Sequence, residues 1–145
     1  MRTRRVHESD GQRTFVVVME TGDEVMAMLR SFAEEQQITA AQITAIGAFR
    51  DAVISYFDWE TKEYLKIPVK EQVEVAAMIG DIAAGEDGGP ALHVHLVLGR
   101  RDGSALAGHL VEGFVRPTLE IVVTESPAYL AKAKDPESGL ALIRP

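Results

Sequence analysis

No cysteine occurs among the 145 residues, which excludes disulfides, thiolate metal sites and cysteine nucleophiles. Basic residues are scarce beside acidic ones: 15 Lys and Arg against 22 Asp and Glu leave a formal net charge of −7. A broad nucleic-acid footprint draws on clustered Lys and Arg, so this balance argues against one. No apolar run approaches the length of a membrane span, and Met1–Gln12 lacks the apolar stretch of a signal peptide. The expectation is a cytoplasmic protein with no membrane partner. Internal repeats, low-complexity tracts and linkers are missing as well, and the length suits one domain.

What the chain does have is concentrated between Ala91 and Glu125, where three of its four histidines lie. Ala91–Gly99 alternates as a strand: Leu92, Val94, Leu96 and Leu98 point one way, His93 and His95 the other. The return strand places Leu106 and Leu110 on one face and Ala105, Ala107 and His109 on the other. A two-residue turn at Asp102-Gly103 would pair Leu96 with His109 and mix the faces. A three-residue loop, Arg101-Asp102-Gly103, with Gly103 left-handed as a G1 bulge, pairs Arg100 with Ser104. Leu98 then shares a face with Leu106, and His109 falls opposite His95 with His93 two residues along. A one-residue slip would flip every side chain, so the apolar pattern selects this second register.

Three neutral imidazoles on one patch suit Zn²⁺ or another divalent ion with a coordination position left open. A lone histidine is more often a polar side chain on a solvated face or bonded to a carbonyl. An H-x-H pair joined by a third histidine through strand register is a more specific pattern.

Elsewhere the pattern is that of an α+β domain with a mainly antiparallel, mixed sheet and one principal amphipathic helix. Met1–Gln12 is polar and expected to fray, its Arg2, Arg4 and Arg5 solvated, and the domain proper occupies 13–145. Thr14–Glu20 reads as a buried strand. Thr21 and Glu24 fit a capping box for a helix from Gly22 to about Gln36, with Val25, Met28, Leu29 and Phe32 on its core face. Ala41–Ile46 and Arg50–Asp58 read as strands separated by Gly47, a bulge or bend, and are followed by a hairpin to Tyr64–Ile67. Lys70–Ala84 is extended with a break at Gly80. Gly85–Pro90 is a loop without the Lys-Ser/Thr end of a phosphate-binding loop. Gly113 and Pro117 predict a bend between Val111 and Pro117. In Thr118–Thr124, Leu119, Ile121 and Val123 face the core, which puts Glu120 on the other side as a carboxylate within an apolar strand. Glu120 is read as a solvated charge, or as an acid/base group or support for an imidazole. Arg116 is the candidate for a substrate anion. In the tail, punctuated by Pro127, Pro136 and Gly139, Leu140, Leu142 and Ile143 are expected to dock on the domain.

Taken together, IGAFRDAVISYFD, the Met78–Ile82 segment, LHVHLVLGRRDGSALAGHL and Glu112–Val123 resemble the plant and prokaryote conserved (PPC) domain. In plants that domain follows AT-hook DNA-binding motifs; in prokaryotes it stands alone. The resemblance implies a homotrimer, and it implies that the matching His93, His95 and His109 are metal ligands, with zinc as the cofactor. It also implies a fold similar to that of acetolactate decarboxylase. The AT-hook core Arg-Gly-Arg-Pro is absent, so the minor-groove contact of the plant proteins does not carry over. Two functions follow as expectations. One is a three-histidine metal site open to a small molecule, a lyase or hydrolase if it is catalytic at all. The other is a DNA-associated or protein-interaction module, as in the plant relatives.

Overall fold

Alternation at a period of two runs through most of this chain, and strands dominate the computed structural model, which describes residues 1–126 and 130–144. The order is β1 (Arg2–Ser9), β2 (Gln12–Glu20), α1 (Val25–Glu35), β3 (Ala40–Asp58), β4 (Glu63–Val69), β5 (Val73–Ala84), β6 (Pro90–Gly99), β7 (Ala105–Glu125), β8 (Ala131–Lys134) and β9 (Ala141–Arg144). All nine of these strands belong to one sheet, antiparallel except where β5 meets β8. With a single helix on that sheet, the fold is α+β, as the pattern predicts.

Two long strands shape the molecule. The amino half of β3 pairs with the carboxyl half of β7, and its carboxyl half pairs with the amino half of β7. Because β5 pairs with β3 and β6 joins β5 to β7, these four strands form a closed ring. Inside it lie Ile43, Ile54, Met78, Ile82, Val94, Leu98, Leu110, Leu119 and Ile121, each nearly or wholly buried. The helix adds Val25, Leu29, Phe32 and Ala33 to this core, and Phe32 meets Phe15 of β2 edge-on at 5.3 Å between centroids. Removing these aliphatic faces from water supplies the main favourable energy, about 25 cal/mol per Å².

Several expectations are corrected. The amino terminus does not fray: β1 pairs with β2 from Arg2↔Val18 to Ser9↔Gln12, tied across by an Arg2–Glu20 ion pair, with an Arg5–Glu8 pair inside β1. All eight of its residues are exposed, so an edge strand of this kind carries no apolar alternation to read. Helix α1 starts later than predicted. Its N-cap is Glu24, whose carboxylate accepts from the Met26 and Ala27 amides at 3.2 and 2.7 Å, while the Thr21 hydroxyl donates to the Pro117 carbonyl.

Gly47 marks the expected bulge, with register shifts against both β5 and β7, but it does not divide the strand: β3 runs through it. A Cβ there would lie 2.3 Å from the Thr118 carbonyl oxygen, so this glycine is required by close strand approach. Gly80 likewise sits inside an unbroken β5, facing the His93 carbonyl, and β7 continues past Gly113 and Pro117. Leu142 and Ile143 stay about 40% exposed on a β8–β9 hairpin instead of docking. Pro127 lies outside the described residues.

Candidate metal centre

The register of the β6–β7 hairpin decides where the histidines go. Gly103 is left-handed at φ 83°, the Arg100 amide donates to the Ser104 carbonyl at 2.8 Å, and the Gly103 amide donates to the Arg100 carbonyl. The strands then pair Leu98 with Leu106, Leu96 with Gly108 and His95 with His109, as the apolar pattern requires. Gly108 has no room for a side chain: a Cβ would sit 2.8 Å from the Ser55 carbonyl. With the leucines turned inward, His93, His95 and His109 share the outer face of the ring.

Their rings lie 4.9 to 5.4 Å apart between centroids, and one nitrogen from each lies within 4.8 Å of the others. Nε2 of His93 is 3.1 Å from Nε2 of His95. Metal–nitrogen bonds of about 2.0–2.1 Å in a tetrahedral site put donor atoms roughly 3.3 Å apart, so this pair is already at ligand spacing. Burial lowers the pKa of His109 to about 4, helped by the nearby His93, His95 and Lys132 charges. Burial, and next the His93 charge, also lower the pKa of His95. Both rings are therefore neutral at pH 7, the state in which imidazole offers a lone pair to a metal. Nδ1 of His109 and Oγ of Ser55, on residues directly paired across β7 and β3, are buried without a hydrogen-bond partner among the described residues. Buried polar atoms left in that state call for a ligand, an ion or water. The residues present thus fit a divalent ion.

Two charged residues stand behind the cluster that the sequence pattern did not single out. Asp81 on β5 pairs directly with His93, its Oδ2 3.6 Å from the ring's Nδ1. Its Oδ1 is 2.5 Å from the ammonium of Lys132 on β8, whose side chain is 4% exposed. Burial pushes the Asp81 carboxyl up, but His93 and Lys132 together hold it below the usual carboxylate range. A signal for Asp81 did exist: it is the one carboxylate of the Met78–Ile82 segment, and a register that turns it to the histidine face of the neighbouring strand brings it near an imidazole. For Lys132, in AKAKD, no local pattern marks burial. On the other flank stands an aromatic wall. The Tyr64 ring lies 5.1 Å from that of His109, backed by Phe57 at 5.2 Å from Tyr64 and Trp59 beyond.

Glu120 and Arg116 are not brought to the histidines. Glu120 is exposed between Val18 and Ile46 and lines a cavity of about 520 Å³ with Glu74, Ala76 and Pro117. One row runs across the strands from Val122 through Thr44 and Ile79 to His95. Val122 is two residues from Glu120, and the row spans three strand spacings, roughly 14 Å of sheet. Arg116 donates to the Gln72 side chain at 3.0 Å on the surface.

The family model for the Plants and Prokaryotes Conserved (PCC) domain matches residues 6–127. The chain belongs to this family. A plant- and prokaryote-conserved protein from Pyrococcus horikoshii is 34% identical, with 92% of each chain covered and a TM-score of 0.85. A metal-containing protein from Archaeoglobus fulgidus is also 34% identical, covering 96% of this chain and 98% of that one, TM-score 0.84. A Bacteroides thetaiotaomicron protein, described only provisionally as DNA-binding, is 28% identical over 95% and 94%, TM-score 0.86. A Staphylococcus aureus protein similar to alpha-acetolactate decarboxylase shares the fold alone, at 10% identity over 80% of this PCC chain and 53% of the other, TM-score 0.55. No curated protein matches the sequence. No helix among the described residues of the PCC chain is long and apolar enough to cross a membrane.

Proposed function

We propose that this PCC protein is a homotrimeric metal-binding protein in which His93, His95 and His109 hold one divalent ion and leave a position open to a small molecule. The observation that carries the reading is the convergence of three imidazole nitrogens on the outer face, with no other protein donor grouped with them among the described residues. An all-imidazole set favours zinc, and three protein ligands are the pattern of reactive rather than structural sites. A bound ion would supply Lewis acidity to an oxygen-bearing ligand. The chain's own residues shape the surroundings: Tyr64 and Phe57 wall one side, and Asp81 and Lys132 close the other. Glu120 and Arg116 have no part in the site of a single chain on this reading.

Support for self-association comes from the same face. Ile79 and Ile46 are about 60% exposed, and Val122 and Val97 about 40%, apolar side chains that contact with another copy would take out of water. Ile79 pairs directly with His95, so the assembly surface would border the metal site. Elemental analysis of untagged protein should give about one zinc per chain, lost in His95→Ala, on the open three-ligand reading. Wild-type protein without bound metal would sink the proposal.

The alternative, a DNA-associated module, draws on the description of the Bacteroides relative and on the exposed Arg2, Arg4 and Arg5 of β1. Two of those arginines are already paired with glutamates, and the net charge of −7 opposes it. Absence of any duplex-DNA shift at low salt would dismiss it.

A further inference from the structure

A lysine is almost never fully buried unless its charge is paired. Lys132 is 6% exposed, and it reaches from the carboxyl-terminal hairpin to the strand beside the histidines. That hairpin touches the ring through one backbone bridge, Ala84↔Ala131, and through the Ala84 amide bonded to the Leu130 carbonyl. Lys132 puts its ammonium at one oxygen of Asp81 and leaves the other facing Nδ1 of His93.

We infer that Lys132 is a positioning residue for the metal centre: by holding Asp81 it fixes His93 in the tautomer that carries its proton on Nδ1 and offers Nε2. The inference rests on the metal-binding reading above for its consequence, but not for its geometry. A carboxylate facing Nδ1 favours the proton there, and the freed Nε2 is the atom that faces His95. In the metal-free protein His93 Nε2 then accepts a hydrogen bond from Nε2–H of His95. Without the ammonium, the Asp81 side chain, part-exposed at 27%, is free to turn to water, and the His93 tautomers mix. Ligating histidines with such a carboxylate support typically lose about 10–100-fold in metal affinity when it is removed. Because Lys132 acts through Asp81, its effect should vanish once Asp81 is changed.

The test uses the full chain in two measurements. In metal-free protein at about pH 7.5, where an ordinary histidine is neutral, imidazole ¹⁵N shifts report the His93 tautomer. Zinc affinity is measured by competition with a chromophoric chelator. Wild type should show protonated Nδ1 and bare Nε2; Lys132→Met and Asp81→Asn should show a mixture, with Lys132→Arg partly restoring the wild-type pattern. Zinc affinity should fall about tenfold in Lys132→Met and by no further factor when that change is added to Asp81→Asn. An unchanged tautomer in Lys132→Met, or a loss that carries undiminished into the Asp81→Asn background, overturns the inference. If Lys132→Met does not fold, Asp81→Asn decides alone, an unchanged tautomer again overturning it. The expected tautomers in a wild type that takes up no zinc would uphold the positioning and defeat the metal reading instead.

Discussion

The two halves of β7 obey the same alternation and end in different chemistry. In the amino half, Leu110 turns inward and His109 outward; in the carboxyl half, Leu119 and Ile121 turn inward and Glu120 outward. His109 meets His95 across one strand boundary and Ser55 across the other. Glu120 meets Val18 and Ile46, an apolar setting with no imidazole in it. A period of two tells which face a residue takes, and only the pairing tells which neighbours it has. A reactive side chain on the correct face of the correct strand can therefore stand well away from the site.

The sharpest way to break this comparison is to substitute each outward residue. His109→Ala should lower zinc affinity by more than the ~10–100-fold typical of removing a supporting group, while Glu120→Gln should leave it unchanged in the same chelator competition. Equal losses would erase the distinction between the halves. Next in size is the packing that holds the carboxyl half in place. Gly47→Ala drives a methyl group into the Thr118 carbonyl and should cost about 3 kcal/mol in urea unfolding, the upper end for overpacking. Gly103→Ala, in the open loop ahead of the amino half, meets no neighbour and strains only its left-handed backbone, a loss of about 1 kcal/mol. The reverse ranking would mean that the loop, rather than the strand contact, governs the ring.

Acid provides the gentlest probe. Burial lowers the His109 pKa from the ordinary 6.5 to about 4 in the folded chain, so the folded state binds fewer protons between those values. Stability of the metal-free protein should be level above pH 6.5 and fall as pH drops toward 4. His109→Ala should flatten that slope, as read by thermal melting across the range. Histidine shifts that move near pH 6.5 for His109 would show the ring is solvated and the comparison overstated.

Much of the candidate site was legible because the residues that make it also sort a core. Leu96, Leu98, Leu106 and Leu110 leave one sensible register, and that register carries His109 to His95. The residues that were not legible lack such a constraint. Strand β1 is exposed on both faces, so nothing in Arg2–Ser9 alternates. Strands β3 and β5 run through Gly47 and Gly80, which read as interruptions but let backbones approach, and Gly113 of β7 leaves room for the Phe49 ring. The helix is capped by Glu24 rather than Thr21 because the carboxylate reaches the free amides of the first turn. Lys132 is buried by a pairing with Asp81 that spans about a third of the chain, and no local window of sequence contains both.

The three-residue loop also orders events in time. All three imidazoles lie on the single hairpin it closes, and hairpins form in about 1–10 μs. The donors can therefore assemble before the ring is complete. Asp81 must wait for β5 to dock on β6, and Lys132 for the last part of the chain to return. As the polypeptide condenses, the centre would first gain its donors, next the carboxylate that orients one of them, and last the ammonium that holds that carboxylate still.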